Sequence, residues 1–186
     1  STSSFGATYD LNENVVLVLG FHEGMTPMFG AEPEKADNME LGMRYSSGKS
    51  NLEAFYFSSE YSNLSAECTQ VTGVACDPAE SAVFSGGEAD VSGLEIIGSW
   101  IFEGEDISYP IALSYTSTNS EFQNSSDSEY FGTVAAGDDL PYIPDTAMTL
   151  VAGFVSGSGL SGNLRLIDIG SSCSIAACGT YNIIES

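Results

Sequence analysis

A chain of 186 residues, 42% of them hydrophobic, is long enough for one domain with a core and too apolar to be disordered. Its 26 acidic residues outnumber four basic ones (Lys35, Arg44, Lys49 and Arg165), for a formal net charge of −22. With almost nothing to neutralise phosphates, this balance argues against nucleic acid and against docking on anionic lipid. It fits a solvated, salt-adapted acidic surface or the binding of cations.

The opening "STSSFGATYD" has neither the basic start nor the apolar core of a signal peptide. An exported chain with this start is therefore expected to be a mature form or a fragment. No run of about 18 apolar residues suggests a transmembrane helix. Helical periodicity is nearly absent, and strand signals recur. Strands are predicted over 4–10, 14–23, 38–46, 51–61, 87–102, 108–122, 145–156 and 160–170. The clearest alternation sets Tyr109, Ile111, Leu113 and Tyr115 against Ala112, Ser114, Thr116 and Thr118. Leu160, Leu164 and Leu166 oppose Ser161, Asn163 and Arg165 in the same way. "VVLVLGF" at 15–21 is apolar at every position but one, which predicts burial on both faces.

The connections take turns in length. "NEN", "SSGKS", "EGED" and "SGSG" are short, whereas 24–37, 62–86, 123–144 and the segment from 170 onward are long. Short turns at one end and long loops at the other describe an antiparallel up-and-down meander. Strands of up to about 15 residues exceed the usual globular length and suit a tilted, bilayer-crossing strand. The expected fold is therefore all-β, an antiparallel meander of about eight long strands forming part of a transmembrane β-barrel. The oily side of 41–45 then faces lipid, with Glu40 and Arg44 facing a wet lumen. Tyr45, Phe57, Tyr61, Trp100, Phe102, Tyr109 and Phe122, near strand ends, are candidates for interfacial aromatic girdles.

The cysteines form two close pairs, Cys68 with Cys76 and Cys173 with Cys178, both in long connections. No histidine cluster accompanies them, so zinc is not indicated. Two local disulfides, each contributing roughly 2–3 kcal/mol, would imply an oxidising compartment. Free thiols are the alternative.

Several stretches together resemble one family. These are "GFHEGMTPM", "EPEKADNMELGMRY", "AFYFSSEYSNLSAEC", "FSGGEADVSGLE" and "FGTVAAGDDLPYIP", in order over nearly the whole chain. They resemble the C-terminal part of the β-barrel of TonB-dependent outer-membrane receptors, most like the iron(III)-dicitrate type. The resemblance implies a Gram-negative outer-membrane receptor that imports an iron chelate, a ferric citrate or siderophore complex, using energy delivered through TonB. It implies a 22-stranded barrel and an N-terminal plug that contacts TonB. Residues 1–186 would be one partial barrel, without the plug or the closing strands. No cofactor is implied.

The long loops then become candidate ligand-closing elements, with His22, Glu23, Asp127, Glu129, Asp138 and Asp139 as candidate ligand-binding residues. One histidine cannot make a metal site, and the acidic run at 127–139 lacks the spacing of an EF-hand. Glu40, Arg44, Glu95 and Arg165 are expected to face the lumen, where plug contacts and water satisfy them. Gly93 is expected at a bulge or a tight backbone approach, and Pro141 and Pro144 at a rigid loop return. Loops this acidic are a poor electrostatic match for an anionic chelate. No catalytic constellation is present, so an enzyme is not expected. The alternative is a secreted acidic β-sheet protein that self-assembles into oligomers or filaments through open strand edges.

Overall fold

A computed structural model describes residues 2–27, 32–67, 83–85, 87–128, 132–173 and 183–184. Its strands are β1 (Ser4–Asn12), β2 (Val15–Thr26), β3 (Glu34–Ser47), β4 (Ser50–Ser62), β5 (Ser65–Glu67), β6 (Val83–Ser85) and β7 (Glu88–Glu103). They continue as β8 (Ile107–Phe122), β9 (Ser126–Ser128), β10 (Gly132–Val134), β11 (Thr146–Ser156), β12 (Ser161–Ile169), β13 (Ser172–Cys173) and β14 (Ile183–Ile184).

Eight of these form one antiparallel sheet in the order β1-β2-β3-β4-β7-β8-β11-β12. They are the eight strands that the alternation predicts. The sheet is open, with β1 and β12 each paired on one side only. The short connections are tight turns at one end. The long ones, at the other end, carry the small ladders β5·β6 and β9·β10, which the alternation does not reveal. β3 starts at Glu34 rather than 38, because backbone pairing with β2 runs on through the charged stretch Glu34–Asp37. A ladder needs backbone groups, not apolar side chains.

Residues directly opposite in an antiparallel ladder share a face. The register therefore sorts the whole sheet into two sides. One row runs Tyr9, Leu17, Met43, Ala54, Ile96, Tyr115 and Met148, and the next runs Ala7, Leu19, Leu41, Tyr56 and Leu94. This side is taken as outward. Many of its large side chains are open, Leu41 at 56% and Leu164 at 63% exposure among them. The inward side carries Glu40, Arg44, Glu53, Glu95 and a run of serines and threonines on β8.

β2 corrects one expectation. It is not buried on both faces: Leu17, Leu19 and Phe21 point outward and are exposed, while Val16 and Val18 point inward and are half-buried. An apolar run on both sides here means one side for lipid and one for the interior. The aromatic girdle is corrected as well. Tyr45, Trp100, Phe102 and Tyr109 lie on the outward face towards the short turns, as a girdle requires. Phe57, Tyr61 and Phe122 have the opposite parity and point inward.

Gly93 sits in an unbroken ladder, so it marks no bulge. It is the tight approach: a Cβ there would meet the Phe57 ring and the Ser117 carbonyl oxygen. An aromatic side chain lying over a glycine of the neighbouring strand covers the gap that the glycine leaves.

The sheet has no core of its own. Among the described residues, the packed cluster is Ala89, Phe122, Val134 and Leu140, with Tyr61, Leu64, Val91 and Ile143 against it. Ala89, Phe122, Val91 and Tyr61 are inward residues at the long-loop ends of their strands. Val134, Leu140 and Ile143 come from the connection between β8 and β11. That connection is therefore folded onto the inner side of the wall.

A charge on the outward side should be costly, and one on the inward side should not. Ile96→Arg is expected to destabilise the whole barrel in lipid vesicles by about 2–4 kcal/mol. Ser114→Arg, on the inward face of the next strand, should cost under about 1 kcal/mol. Denaturant titration of both variants checks this, and equal costs would overturn the assignment of faces.

Candidate functional site

The inward face holds an open hollow of about 380 Å³ lined by His22, Asn38, Glu40, Arg44, Glu53, Phe55, Phe57 and Glu95. The β2–β3–β4–β7 register brings these side chains together. Arg44 on β3 faces Glu53 on β4, with Nε 3.2 Å from Glu53 Oε2. Its guanidinium carbon also lies 5.3 Å from the Phe55 ring centroid, a cation–π distance. Arg44 is thus fixed by a carboxylate and a ring at once. The spacing of strands 38–46 and 51–61 implies that pairing, but only the turn at 48–49 sets the register that places Glu53 opposite Arg44.

Glu40 and Glu95 flank the same hollow, paired with Phe57 and Phe55 respectively. His22 is paired with Asn38, whose amide donates to the His22 carbonyl oxygen at 3.2 Å and accepts from Ser59 Oγ at 2.7 Å. Arg165 also points inward, but on β12 opposite Val151, apart from the Arg44 group. Three carboxylates against one guanidinium leave the hollow acidic. Among the described residues, no group of His, Cys, Asp and Glu could hold a metal ion.

The candidate ligand residues whose side chains are described do not converge. Glu23 follows His22 in sequence, and so it points outward. Its carboxylate accepts the Ser3 backbone N–H at 2.9 Å. Asp138 Oδ2 accepts the Ala135 N–H at 2.6 Å, a bond that closes the loop on itself. Asp139 pairs through its backbone with Glu121. The backbone of Asp127 lies in β9. Glu129, Cys68, Cys76 and Cys178 lie outside the described residues. Cys173 is held in a disulfide, and its sulfur lies 3.7 Å from Asp139 Oδ2.

The ladders assemble a feature that the sequence hides. Glu23 lies opposite Asp37, Asp37 opposite Glu60, Glu60 opposite Asp90, and Asp90 opposite Glu121, with Asp139 bridged beyond. Five outward carboxylates thus form one rung across five strands at the long-loop end. From this rung down to the short turns, the outward residues of β2, β3, β4, β7 and β8 include no charged side chain. Below that rung the outward face is a membrane-facing band of the kind that flanks a lipid-exposed barrel wall.

The family model described as "TonB dependent receptor-like, beta-barrel" matches residues 1–178. The chain belongs to that family. Its place is the Gram-negative outer membrane, and the family is one of receptors rather than enzymes. Among solved structures, it is similar to the ferric-catecholate import receptor Fiu of E. coli K12, with 21% identity and a TM-score of 0.69 over 98% of this chain. It is also similar to the FrpB iron transporter of Neisseria meningitidis, with 14% identity and a TM-score of 0.64 over 99% of this chain. At these identities the likeness is one of fold. The chain spans 26% of the length of Fiu and 30% of FrpB. No curated protein matches the chain.

The acidic rung should be electrostatically strained. Like charges directly opposite on neighbouring strands destabilise each other. Glu60→Gln removes the charge facing both Asp37 and Asp90. In the receptor it is expected to raise stability by about 0.5 kcal/mol in low salt. The gain should shrink in 1 M salt, where the screening length falls to about 3 Å. Unfolding titrations at the two ionic strengths measure it, and a loss of stability would contradict the like-charge account.

Proposed function

We propose that this chain is part of the wall of an outer-membrane receptor that takes up an iron chelate, with transport energised by TonB through a plug domain. The observation that carries the reading is the two-sided sheet. It has an uncharged apolar band outside, a polar acidic hollow inside, and a long connection folded over the inner side of its outer end. A wall of that kind encloses a wet lumen with a structured mouth, which an import receptor needs. Membership in the receptor family supports the same reading.

The chelate class follows from charge. Glu40, Glu53 and Glu95 surround Arg44 in the hollow, and Asp138 and Asp139 lie in the loop above. An anionic complex such as ferric dicitrate meets repulsion there. A neutral chelate, with its iron wrapped in an uncharged organic shell such as a trihydroxamate, meets none. Transport of ferric dicitrate is therefore the weaker form of the proposal.

The secreted, self-assembling sheet is the competing account. It would place Leu19, Leu41, Leu164 and Leu166 in water, together with other exposed apolar side chains of the outward face. Contiguous apolar surface of that extent marks an interface, and the uncharged band is the right shape for lipid.

The test is radioiron uptake by iron-starved Gram-negative cells that lack their own chelate receptors and express the whole receptor. Ferric trihydroxamate, ferric dicitrate and a ferric catecholate are supplied separately. TonB-dependent uptake is expected, at least about tenfold greater for the trihydroxamate than for dicitrate. Uptake of none of the three, or uptake that persists without TonB, would overturn the proposal.

A further inference from the structure

The upper limit of the outward apolar surface does not follow the rows of the sheet. On that side the uppermost large apolar residue is Met39 on β3, Tyr56 on β4, Leu94 on β7, Tyr115 on β8, Met148 on β11 and Leu166 on β12. Met39 lies opposite Ser58, Leu94 opposite Ser117, and Met148 opposite Asp168, so the limit drops one row at each of these steps. A row is two residues, about 6.8 Å, and neighbouring strands lie about 4.8 Å apart. Three rows over the five spacings from β3 to β12 make an angle of about 40°, the tilt of strands in a membrane barrel. The short turns descend the same way. β4 opens at Ser50 opposite Trp100, yet β7 runs on to Glu103 before the next turn. Both limits of the band thus follow one membrane plane.

The acidic rung follows a row, and the membrane plane does not. The two diverge between β3 and β8, and the wedge between them is polar and uncharged. Ser58, Ser92 and Asn119 lie directly opposite one another across β4, β7 and β8, one row below Glu60, Asp90 and Glu121. Ser117 and Thr146 continue the wedge in the next row. Parity sets these side chains outward. Asn119 is exposed, whereas the next residue, Ser120, faces inward at 7% exposure. Among the described residues, none of the wedge side chains makes a hydrogen bond.

Height decides what lies beside them. The headgroup layer on each side of a bilayer is about 5–7 Å deep. At this tilt one row is about 5 Å of height. Ser58, Ser92 and Ser117 each stand one row above the last apolar residue of their strand, so they lie within that layer. Asn119, one row higher, rises just above it. Hydroxyl and amide groups at that level need partners that donate and accept hydrogen bonds. A phosphate is disfavoured, because carboxylates stand one row above and the outward sides of β4, β7 and β8 carry no Lys or Arg.

We infer that this wedge docks the sugar headgroup of an outer-leaflet glycolipid, with Ser58, Ser92, Ser117 and Asn119 hydrogen-bonding its hydroxyl and amide groups. The site is continuous with the lipid-facing band, so the acyl chains of the same lipid run down over Tyr56, Leu94 and Tyr115. It does not depend on what the receptor imports.

The test is lipid binding by the whole receptor in mixed detergent micelles, read by native mass spectrometry. The probes are lipid A, dephosphorylated lipid A and phosphatidylglycerol. Both lipid A forms are expected to bind within about threefold of each other, and at least about tenfold more tightly than phosphatidylglycerol. Combining Ser58→Ala, Ser92→Ala and Asn119→Ala should weaken lipid A binding at least about fivefold, with the unfolding temperature in lipid-free detergent unchanged. Ser92→Ala alone should weaken it about twofold. Ser99→Ala with Ser114→Ala, on the inward face of β7 and β8, should leave it unchanged. Equal binding of phosphatidylglycerol would overturn the proposal, as would full affinity in the combined variant or an equal loss in the inward one. Binding that disappears with the phosphates, or on chelation of divalent cations, would assign the contact to the carboxylates and overturn it as well.

Discussion

The structure depends on one constraint, that every backbone N–H and C=O group in hydrocarbon must be paired. The seven ladders of the sheet meet it for the strands inside, from Ser4 opposite His22 to Val155 opposite Ser161. They meet it without regard to side chains, which is why pairing continues through Glu34–Asp37 and along the acidic rung. The same constraint fixes what β1 and β12 require. Each has one unpaired edge, and within a bilayer that edge needs a further strand beside it. The sheet is thus a sector of a closed wall, in keeping with its covering 26% and 30% of two larger proteins of the same fold.

Once the backbone is paired, a period of two leaves each side chain only a choice of face. That choice separates two solvents across one residue of thickness. Leu41 and Met43 go to lipid, while Glu40, Gly42 and Arg44 go to the interior. It also explains why the described residues form so small a core. In a soluble sheet the apolar face would pack on a second layer, whereas here lipid is the second layer. Among the described residues, the packed cluster lies at the outer end, where the β8–β11 connection returns over Ala89 and Phe122 and supplies the missing layer locally.

Much of this was legible in the sequence. The strands, their antiparallel order and the alternation of short turns with long connections follow from periodicity and from glycine- and serine-rich turns. The lumen-side candidates Glu40, Arg44, Glu95 and Arg165 share the inward face because each differs in parity from an apolar neighbour. What was not legible depends on register between strands. Glu53 opposite Arg44, and the rung from Glu23 to Glu121, join residues as far as 98 positions apart through four successive ladders. Phe57, Tyr61 and Phe122 lie near strand ends, as girdle residues do, and only parity carried across the ladder shows that they point inward.

The rung and the docked connection meet at one place. Glu121 ends the rung on β8, its backbone bridges Asp139, and its neighbour Phe122 turns inward to anchor the loop. A strand end that carries a carboxylate on one face and a buried ring on the other joins the membrane-side boundary to the mouth. Like charges along the rung push neighbouring strands apart on the outer side of the hydrocarbon band. The buried cluster, on the other face of the same rows, holds those strands together by burying Phe122, Val134 and Leu140. The outer end of the wall is thus stiffened from inside against a repulsion spread along its outside. A loop recruited for that purpose is fixed to the wall that it stiffens.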